Sequence, residues 1–409
     1  MEEGDRKLSF IICSSTCVDD QEEMICIETQ HFKINRILLL LIGLWPYQRT
    51  FLVELQLITL LGILTTFIIF QFTTFITSEY TMNLMYKVVS NTFFFLTFLI
   101  KYNSFWINAD ILRSSMKQLQ EVYDEIKDKN EIAIVQKYGS KANRITIQLI
   151  SLGLFSLSVV TLSDLGPYIY NIVTNQSLPF HIVTEYFIDQ EKYSYLIMLH
   201  IEAAYWIGAI AMIATGTTLI TYLQLTCAMF SIACYRIEQA IRILQKGNFE
   251  NERKSCEEII RAVNIHCKAM KLCNFLISNF VGSFFFLTAA GLVCLSCNLL
   301  QIVLLHDNIE QLIQSLIMIT VHYVYLFLSN YIAQEITDHN EYVFVTVYNV
   351  HWYRAPIRVQ RMILFLLQKG TKSFNLVLGG IFVASLKSAA SLMSTSISYF
   401  TVLYSTRQD

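Results

Sequence analysis

Small polar side chains recur in the last apolar segment of the chain at the spacing of one helix face. From Ser385 onward the series advances in steps of three or four residues, which keeps its members on a single stripe. The members are Ser385, Ser388, Ser391, Thr395, Ser398, Val402 and Thr406. A hydroxyl-lined stripe that ends in an apolar residue suits a water-filled pore with a hydrophobic gate. Small polar residues are also common where two membrane helices pack closely, so the pattern by itself leaves both interpretations open.

Lys387 lies one residue away from this stripe, within an otherwise apolar segment. An ionisable side chain at such a position is energetically costly, so it usually has a function or a partner. Two further interpretations stay open for it. The side chain extends to the inner membrane surface, or it meets a carboxylate of a neighbouring subunit.

Motifs for enzymatic chemistry are absent from the sequence. Cys294 and Cys297 form a CxxC pair, but the pair lies in an apolar segment without a second pair, so packing is expected rather than metal binding. There is no P-loop, HExxH or GxSxG signature. We therefore predict no enzymatic activity, no cofactor and no metal site.

The composition indicates which elements position these residues. Of the 409 residues, 54% are hydrophobic and 15% are charged, whereas soluble domains have about 25% charged residues. The mean hydropathy is +0.46. The net charge of −2 gives no bulk attraction to nucleic acid. The sequence therefore predicts a helical protein that crosses the lipid bilayer several times and has no nucleic-acid partner.

Seven apolar stretches of the sequence are long enough to cross a bilayer, which takes about 20 residues per helix. They are Phe51–Thr77, Met82–Ser104, Ile145–Tyr170, Tyr193–Cys234, Leu272–Leu305, Ile309–Gln334 and Phe374–Tyr404. The fourth and fifth exceed the length of a bilayer, so their inner ends are expected to continue into the cytosol as helix. A shorter apolar run at 37–45 cannot span and is expected to be re-entrant or interfacial.

The positive charges indicate how the chain is oriented. Of the 30 Lys and Arg residues, 26 fall in the N-terminal segment, in the second, fourth and sixth loops, or at Lys101, taken as the inner end of the second span. Cytosolic loops carry such an excess, so we predict a cytosolic N-terminus and an extracellular C-terminus. Asn175 begins an Asn-Gln-Ser sequon in the only long outer loop, and it is a predicted glycosylation site.

Three motifs near the C-terminus carry a family resemblance. They are HWYRAP at 351–356, VQRM at 359–362 and SYFTVL at 398–403. Together they resemble the C-terminal signature of insect odorant receptors, and the predicted inverted seven-helix topology fits that family along the whole chain. The short second and fourth cytosolic loops resemble those of odour-tuning subunits rather than those of the common co-receptor.

The resemblance implies a fold and a function. The fold is an all-α polytopic membrane protein with seven transmembrane helices, in the plasma membrane of olfactory sensory neurons. Such receptors bind volatile small molecules and open a non-selective pore for cations, as heterotetramers with the co-receptor. In the family the last helix lines that pore. The residues assigned to pore and gate are Val402, Thr406, Ser398, Thr395, Ser391 and Lys387.

The resemblance also implies four regions. Residues 1–50 form a cytosolic N-terminal segment with a re-entrant or interfacial helix, and 51–350 form the ligand-binding bundle of six spans. Residues 351–370 correspond to a cytosolic helix that joins subunits in an anchor domain, and 371–409 to the pore helix and the extracellular C-terminus. The residues expected to join subunits are Trp352, Tyr353, Ile357, Arg361 and Leu364.

In this family the odorant site lies in the outer half of the bundle, between the second, third, fourth and sixth spans. A volatile ligand needs an apolar wall with a few orienting polar groups. The residues of the outer halves that meet this description are Val88, Asn91, Thr92, Phe95, Ser158, Thr161, Leu162, Tyr195, Leu199, Thr320 and Tyr323. Ordinary core packing is an equally good interpretation of each residue taken singly.

Two other classes of receptor share some of these features. A gustatory receptor-type channel is disfavoured by the SYFTVL ending and by the HWY motif. A G-protein-coupled receptor also has seven helices. Its orientation is the reverse of the one predicted here, and its Asp-Arg-Tyr and Asn-Pro-x-x-Tyr motifs are absent from the expected places.

Overall fold

The computed structural model is mostly helical in its described part, which comprises residues 27–77, 81–174, 186–189, 192–244, 249–304, 309–370, 374–378 and 382–406. Up to residue 349 the helices are α1 (Ile27–His31), α2 (Lys33–Leu41), α3 (Phe51–Thr77), α4 (Met82–Ile107), α5 (Ala109–Asp124), α6 (Lys129–Thr174), α7 (Ser194–Leu244), α8 (Phe249–Leu304) and α9 (Ile309–Asn349). The C-terminal part adds a 3-10 turn (Trp352–Arg354), α10 (Ile357–Gly370), β1 (Val377–Leu378), β2 (Phe382–Val383) and α11 (Leu386–Ser405).

Six of the described helices, α3, α4 and α6 to α9, are long and apolar enough to cross a membrane. Helix α3 has the bounds that hydropathy predicts. Helices α7 and α8 have 51 and 56 residues, so they extend far beyond the about 20 residues that a bilayer takes, as predicted. Helices α6 and α9 are also extended, with 46 and 41 residues. Hydropathy does not indicate these two extensions because they are polar.

Polar contacts join the extended helices to one another. Arg236 of α7 donates from Nε and Nη2 to the two carboxylate oxygens of Glu131 on α6, at 2.7 and 2.8 Å. Lys141 of α6 pairs with Glu335 of α9, whose other oxygen accepts from Gln224 Nε2 at 2.8 Å. Removing one partner of a buried ion pair costs about 3–5 kcal/mol. These contacts therefore fix how α6, α7 and α9 lie against each other.

Helix α7 lies at the centre of the bundle. It packs against α2, α3, α4, α6, α8 and α9, and every residue from 224 to 230 is buried. Gly208 allows α4 to come close, because a Cβ atom at this position would collide with the ring of Phe98. The helices around α7 therefore face a common interior, where the candidate site lies.

The short apolar run at 37–45 packs against this bundle. Asn35 of α2 donates from Nδ2 to Thr221 Oγ1 of α7 at 2.8 Å. Leu39, Ile42 and Trp45 are buried. Whether the run is re-entrant or interfacial with respect to a membrane stays a prediction.

The seventh span predicted at Phe374–Tyr404 is not a single helix. Strands β1 and β2 pair antiparallel in its first part, and α11 begins only at Leu386. The prediction was wrong at this end because Val and Ile around the Gly-Gly pair at 379–380 are apolar, yet such residues favour a hairpin over a helix. Ser385 caps α11, since its hydroxyl accepts from the backbone N–H of Ser388 at 3.2 Å.

Helix α11 is not among the six helices that are apolar enough to span. The reason is chemical, because Ser and Thr recur along its whole length and Lys387 lies in its first turn. A seventh crossing and the sides of the membrane on which the termini lie therefore stay predictions.

Candidate ligand cavity and candidate pore helix

A cavity of about 190 Å³ lies between the long helices. Helices α4, α6, α7, α8 and α9 form its walls together with the β1–β2 hairpin and α11. Much of the wall is aliphatic, including Leu152, Met212, Ile220, Ile277, Leu287 and Leu295. A concave and mostly apolar space with few polar groups suits a small apolar ligand.

Glycines on facing helices leave this space open. A Cβ atom at Gly216 of α7 would meet nothing within 4 Å. At Gly291 of α8 it would lie 3.4 Å from Cδ2 of His322. Both glycines line the cavity, so larger side chains at these positions would project toward it.

Lys101 is the charged side chain among the described residues that line the cavity. It belongs to α4 and is 3% exposed. Its Nζ lies 4.9 Å from the ring centroid of Tyr325 and 5.3 Å from that of Phe284. Such distances permit cation–π attraction. Neither a hydrogen bond nor an ion pair of this ammonium group is found within the described part of the chain.

The sequence analysis takes Lys101 as a marker of the inner membrane surface. Helix α4 continues to Ile107, so Lys101 lies almost two turns inside it, and its side chain is buried among the helices. The long stem of a lysine near the end of a span can still reach toward a surface, so the depth of Lys101 in a membrane stays a prediction.

His322 is another residue of the cavity wall. Its Nδ1 lies 2.9 Å from the backbone carbonyl oxygen of Met318, so Nδ1 carries the proton in that contact. The other ring nitrogen, Nε2, is buried and has no hydrogen-bond partner among the described residues. In the neutral ring it is an acceptor.

The predicted odorant-binding residues of α4 are buried or half-buried in the bundle. Val88, Thr92 and Phe95 are buried, and Asn91 is half-buried. Phe95 packs among aromatic rings, with centroid distances of 4.4 Å to Phe67 and 4.9 Å to Tyr205. Two of the other predicted residues make polar contacts. Thr161 donates to Glu202 Oε2 at 2.7 Å, and the Tyr323 hydroxyl lies 3.3 Å from Ser396 Oγ.

The other predicted odorant-binding residues face outward in the single chain. The exposed ones are Ser158, Leu162, Tyr195, Leu199 and Thr320. None of the eleven predicted residues lines the cavity described above. That cavity lies about one to two turns farther along α4, at Lys101 rather than Phe95. Buried charge and facing glycines are the signals that would have pointed to it.

Helix α11 is held against α8 and α9 by hydrogen bonds along one face. Ser296 Oγ of α8 donates to the Ser396 carbonyl oxygen at 3.1 Å. At the start of the helix, the Ser385 N–H donates to Asn330 Oδ1 of α9 at 3.1 Å. Asn330 of α9 and Leu392 of α11 both line the cavity. The cavity and the start of α11 therefore share residues.

The opposite face of α11 is polar and uncovered. Its exposed members follow steps of four and three, namely Lys387, Ser391, Ser394, Ser398, Thr401 and Ser405. Of the predicted gate residues, Val402 is 57% exposed beside this face, and Thr406 is also exposed.

The uncovered face is rotated relative to the stripe that the sequence analysis proposes. Ser385, Ser388 and Thr395 of that stripe are half-buried. Ser394 and Thr401 were missed, although they are exposed. Consecutive Ser and Thr residues allow more than one series with steps of three and four, so spacing alone does not select the outward one.

The predicted anchor segment has an apolar face that the single chain leaves open. Tyr353, Ile357 and Leu364 are 58%, 69% and 61% exposed. Arg361 is exposed and Trp352 half-buried. The buried side of α10 carries the residues Val359, Ile363 and Leu366 instead. Whether the open face joins subunits stays a prediction, and Asn175 lies outside the described residues.

Cys227, Glu335 and His339 bring three potential metal ligands within 4.8 Å of one another. Two of these three side chains, Glu335 and His339, already have hydrogen-bond partners. Glu335 is engaged by Lys141 and Gln224. His339 Nε2 lies 2.6 Å from the Tyr138 hydroxyl. The cluster is therefore a polar contact between helices.

A family model described as 7tm odorant receptor matches residues 81–397. The chain belongs to this family. The match runs from the start of α4 into α11 and therefore includes the cavity and the first half of the uncovered polar face, up to Ser394. With its six apolar helices, the receptor is a multi-pass membrane protein.

Two solved structures share the fold of the receptor. The insect olfactory receptor OR5 from Machilis hrabei in complex with eugenol aligns with a TM-score of 0.78 over 94% of this chain and 100% of that chain, at 16% identity. The other OR5 structure gives 0.76 over 93% and 99%, also at 16% identity. Likeness at this identity establishes the fold. The search of curated proteins finds no match.

We predict that Asn330→Ala loosens the start of α11. The variant removes the acceptor of the Ser385 N–H, and such a hydrogen bond contributes about 0.5–1.5 kcal/mol. The midpoint of thermal unfolding of the receptor in detergent should therefore fall. Asn279→Ala is the matched control, because Asn279 is exposed and donates only to the Phe275 carbonyl oxygen of its own helix, at 2.6 Å. Equal midpoints for the two variants would contradict the proposed contact.

Proposed function

We propose that the receptor is an odour-tuning subunit of a ligand-gated, non-selective cation channel. It assembles with the odorant receptor co-receptor as a heterotetramer in the plasma membrane of olfactory sensory neurons. One observation carries the proposal, namely that the helix with an uncovered polar face lines a mostly apolar cavity through Leu392, while Asn330 of the cavity wall accepts a hydrogen bond from the start of that helix. A ligand site and a candidate pore wall are thereby in contact.

The cavity fits a volatile small molecule. OR5, which shares the fold, is described in complex with eugenol, a small and mainly apolar compound. By analogy, the ligand of this receptor occupies the space between α4, α6, α7, α8 and α9. The predicted residues around Phe95 lie beyond its outer side and tune access to it, and Tyr323 lies level with the cavity-lining residues His322 and Val324.

Coupling from the cavity to a gate needs a ligand that binds the open arrangement more tightly than the closed one. Leu392 gives the ligand a direct contact with α11. The hydrogen bond from Ser385 to Asn330 ties the first turn of α11 to α9. A ligand that separates α9 from α8 would therefore move the start of α11.

In the channel the uncovered face of α11 meets water. Ser391, Ser394 and Ser398 line the pore, and Val402 with Thr406 forms the gate at its outer end. The residues from Lys387 to Val402 cover about 22 Å of helix at 1.5 Å per residue, enough to cross most of a bilayer core of about 30 Å. The anchor residues Ile357 and Leu364 of α10 meet neighbouring subunits on the cytosolic side.

We predict that Gly216→Leu strongly weakens the response to ligands while the channel still reaches the cell surface. The added side chain projects into open space within the cavity and removes the volume that a ligand needs. Currents evoked by an odorant panel, in cells that express the receptor with the co-receptor, should require about ten-fold or more ligand, the equivalent of about 1.4 kcal/mol.

Gly282→Leu is the matched control for this variant. Gly282 lies on α8, is exposed, and a Cβ atom there also meets nothing within 4 Å. It does not line the cavity, so its currents should match those of the unmodified receptor. Equal loss in both variants, or no loss in either, would contradict ligand binding in the cavity. The absence of any current in cells without G-protein signalling would contradict the channel itself.

We predict that Lys387→Ala increases the cation current of the assembled channel. Lys387 is exposed on the same face as Ser391 and Ser394, where its positive charge repels permeant cations. Single-channel conductance and the reversal potential in a sodium gradient measure the effect. Lys387→Arg retains the charge and should behave as the unmodified receptor. Unchanged conductance, selectivity and surface assembly in Lys387→Ala would show that this residue lies away from the pore.

A further inference from the structure

The buried ammonium group of Lys101 limits the chemistry of a ligand in the cavity. At 3% exposure the side chain is almost entirely enclosed by the bundle, and a charge in an apolar environment is costly unless it is paired. Among the described residues that line the cavity there is no Asp or Glu. The faces of Tyr325 and Phe284 supply only part of the missing stabilisation.

We infer that the cavity takes small aliphatic or aromatic carboxylic acids, whose carboxylate pairs with Lys101. The inference rests on the proposed function, because it requires that the cavity is the ligand site. It goes beyond that function by naming the polar group that a ligand carries and the side chain that holds this group.

The ion pair forms whichever partner holds the proton beforehand. If Lys101 is charged, a carboxylate enters as its counter-ion. If Lys101 is a neutral amine, the acid enters protonated and transfers its proton to Nζ, which gives the same ammonium carboxylate pair. Hydrogen bonds between charged groups are about twice as strong as neutral ones. The acid therefore binds better than an ester or an alcohol with the same hydrocarbon part.

The rest of the wall matches the hydrocarbon part of such a ligand. Leu152, Met212 and Leu287 offer aliphatic surface, and burying the hydrocarbon part of a ligand against it favours binding. A ligand that carries an amine would place a second positive charge beside Lys101. We therefore expect the cavity to disfavour protonated amines.

A matched ligand series tests this inference. Hexanoic acid, methyl hexanoate, 1-hexanol and hexylamine are applied at neutral pH to cells that express the receptor with the co-receptor, and each compound is scored for activation and for block of the current. We expect the acid to act at the lowest concentration and the amine to be inactive. An inactive acid, or an amine that acts better than the acid, would overturn the inference.

Variants of Lys101 test whether this residue causes the preference for the acid. Lys101→Met retains the length of the side chain without its charge and should weaken the acid by about ten-fold or more, or about 1.4 kcal/mol, while the ester changes little. Lys101→Arg retains the charge and should keep the order of the series. Surface labelling shows that each variant is assembled. If the ratio of acid to ester potency is the same in Lys101→Met as in the unmodified receptor, the inference fails.

The results for Gly216→Leu and Lys101→Met together show whether this inference fails alone or fails with the proposed function. A ten-fold or greater loss of ligand potency in Gly216→Leu together with an unchanged ligand order in Lys101→Met supports the ligand cavity and refutes the role of Lys101. Responses that are insensitive to Gly216→Leu refute the cavity as the ligand site, and the inference with it.

Discussion

Polar side chains cannot face lipid without a large cost in free energy, and this constraint governs how α11 must be used. The helix is covered by α8 and α9 on one side only, where Ala389 and Ser396 are buried. The other side presents Lys387 and a row of hydroxyl groups. A hydroxyl group can donate its hydrogen bond to a carbonyl oxygen of its own helix, as Ser398 does to Ser394. An ammonium group needs water or an anion. The uncovered face therefore requires water or a second subunit, and the proposed central pore would provide both.

The same constraint gives the cavity its chemical character. Lys101 and Lys387 are both lysines within apolar helices, yet one is sealed inside the bundle and the other lies on the open face of α11. The helices around Lys101 hold it between two aromatic rings, and glycines preserve space beside it. Asn330 then joins this space to the first turn of α11. A binding site and a candidate pore wall are thus separated by a single layer of side chains.

Sequence reasoning reached the fold because the long apolar helices depend on local composition. The bounds of α3 and the extension of α7 and α8 follow from hydropathy and length alone. The start of α11 was misplaced, because averaging over apolar residues does not distinguish the hairpin residues Val377 and Val383 from helix.

The site was harder to predict because it arises from contacts between distant segments. The cavity exists where Gly216 of α7 and Gly291 of α8 face Lys101 of α4, and no spacing within one helix reveals that arrangement. The outward face of α11 was predicted in kind but not in register, since Ser394 and Thr401 are exposed on it whereas the predicted member Thr395 is half-buried. Burial against α8 selects the series, and burial is a property of the packed bundle.

Cysteine accessibility along α11 tests the central claim most directly. Single cysteines at Ser391, Ser394 and Ser398, and at the buried positions Ala389 and Ser396, are treated with a charged thiol reagent during ligand-evoked current. The account predicts rapid block at the first three positions and none at the two buried positions, because only the first face meets water. Equal modification at all five positions, or block at Ala389 and Ser396 alone, would contradict a pore lined by this face.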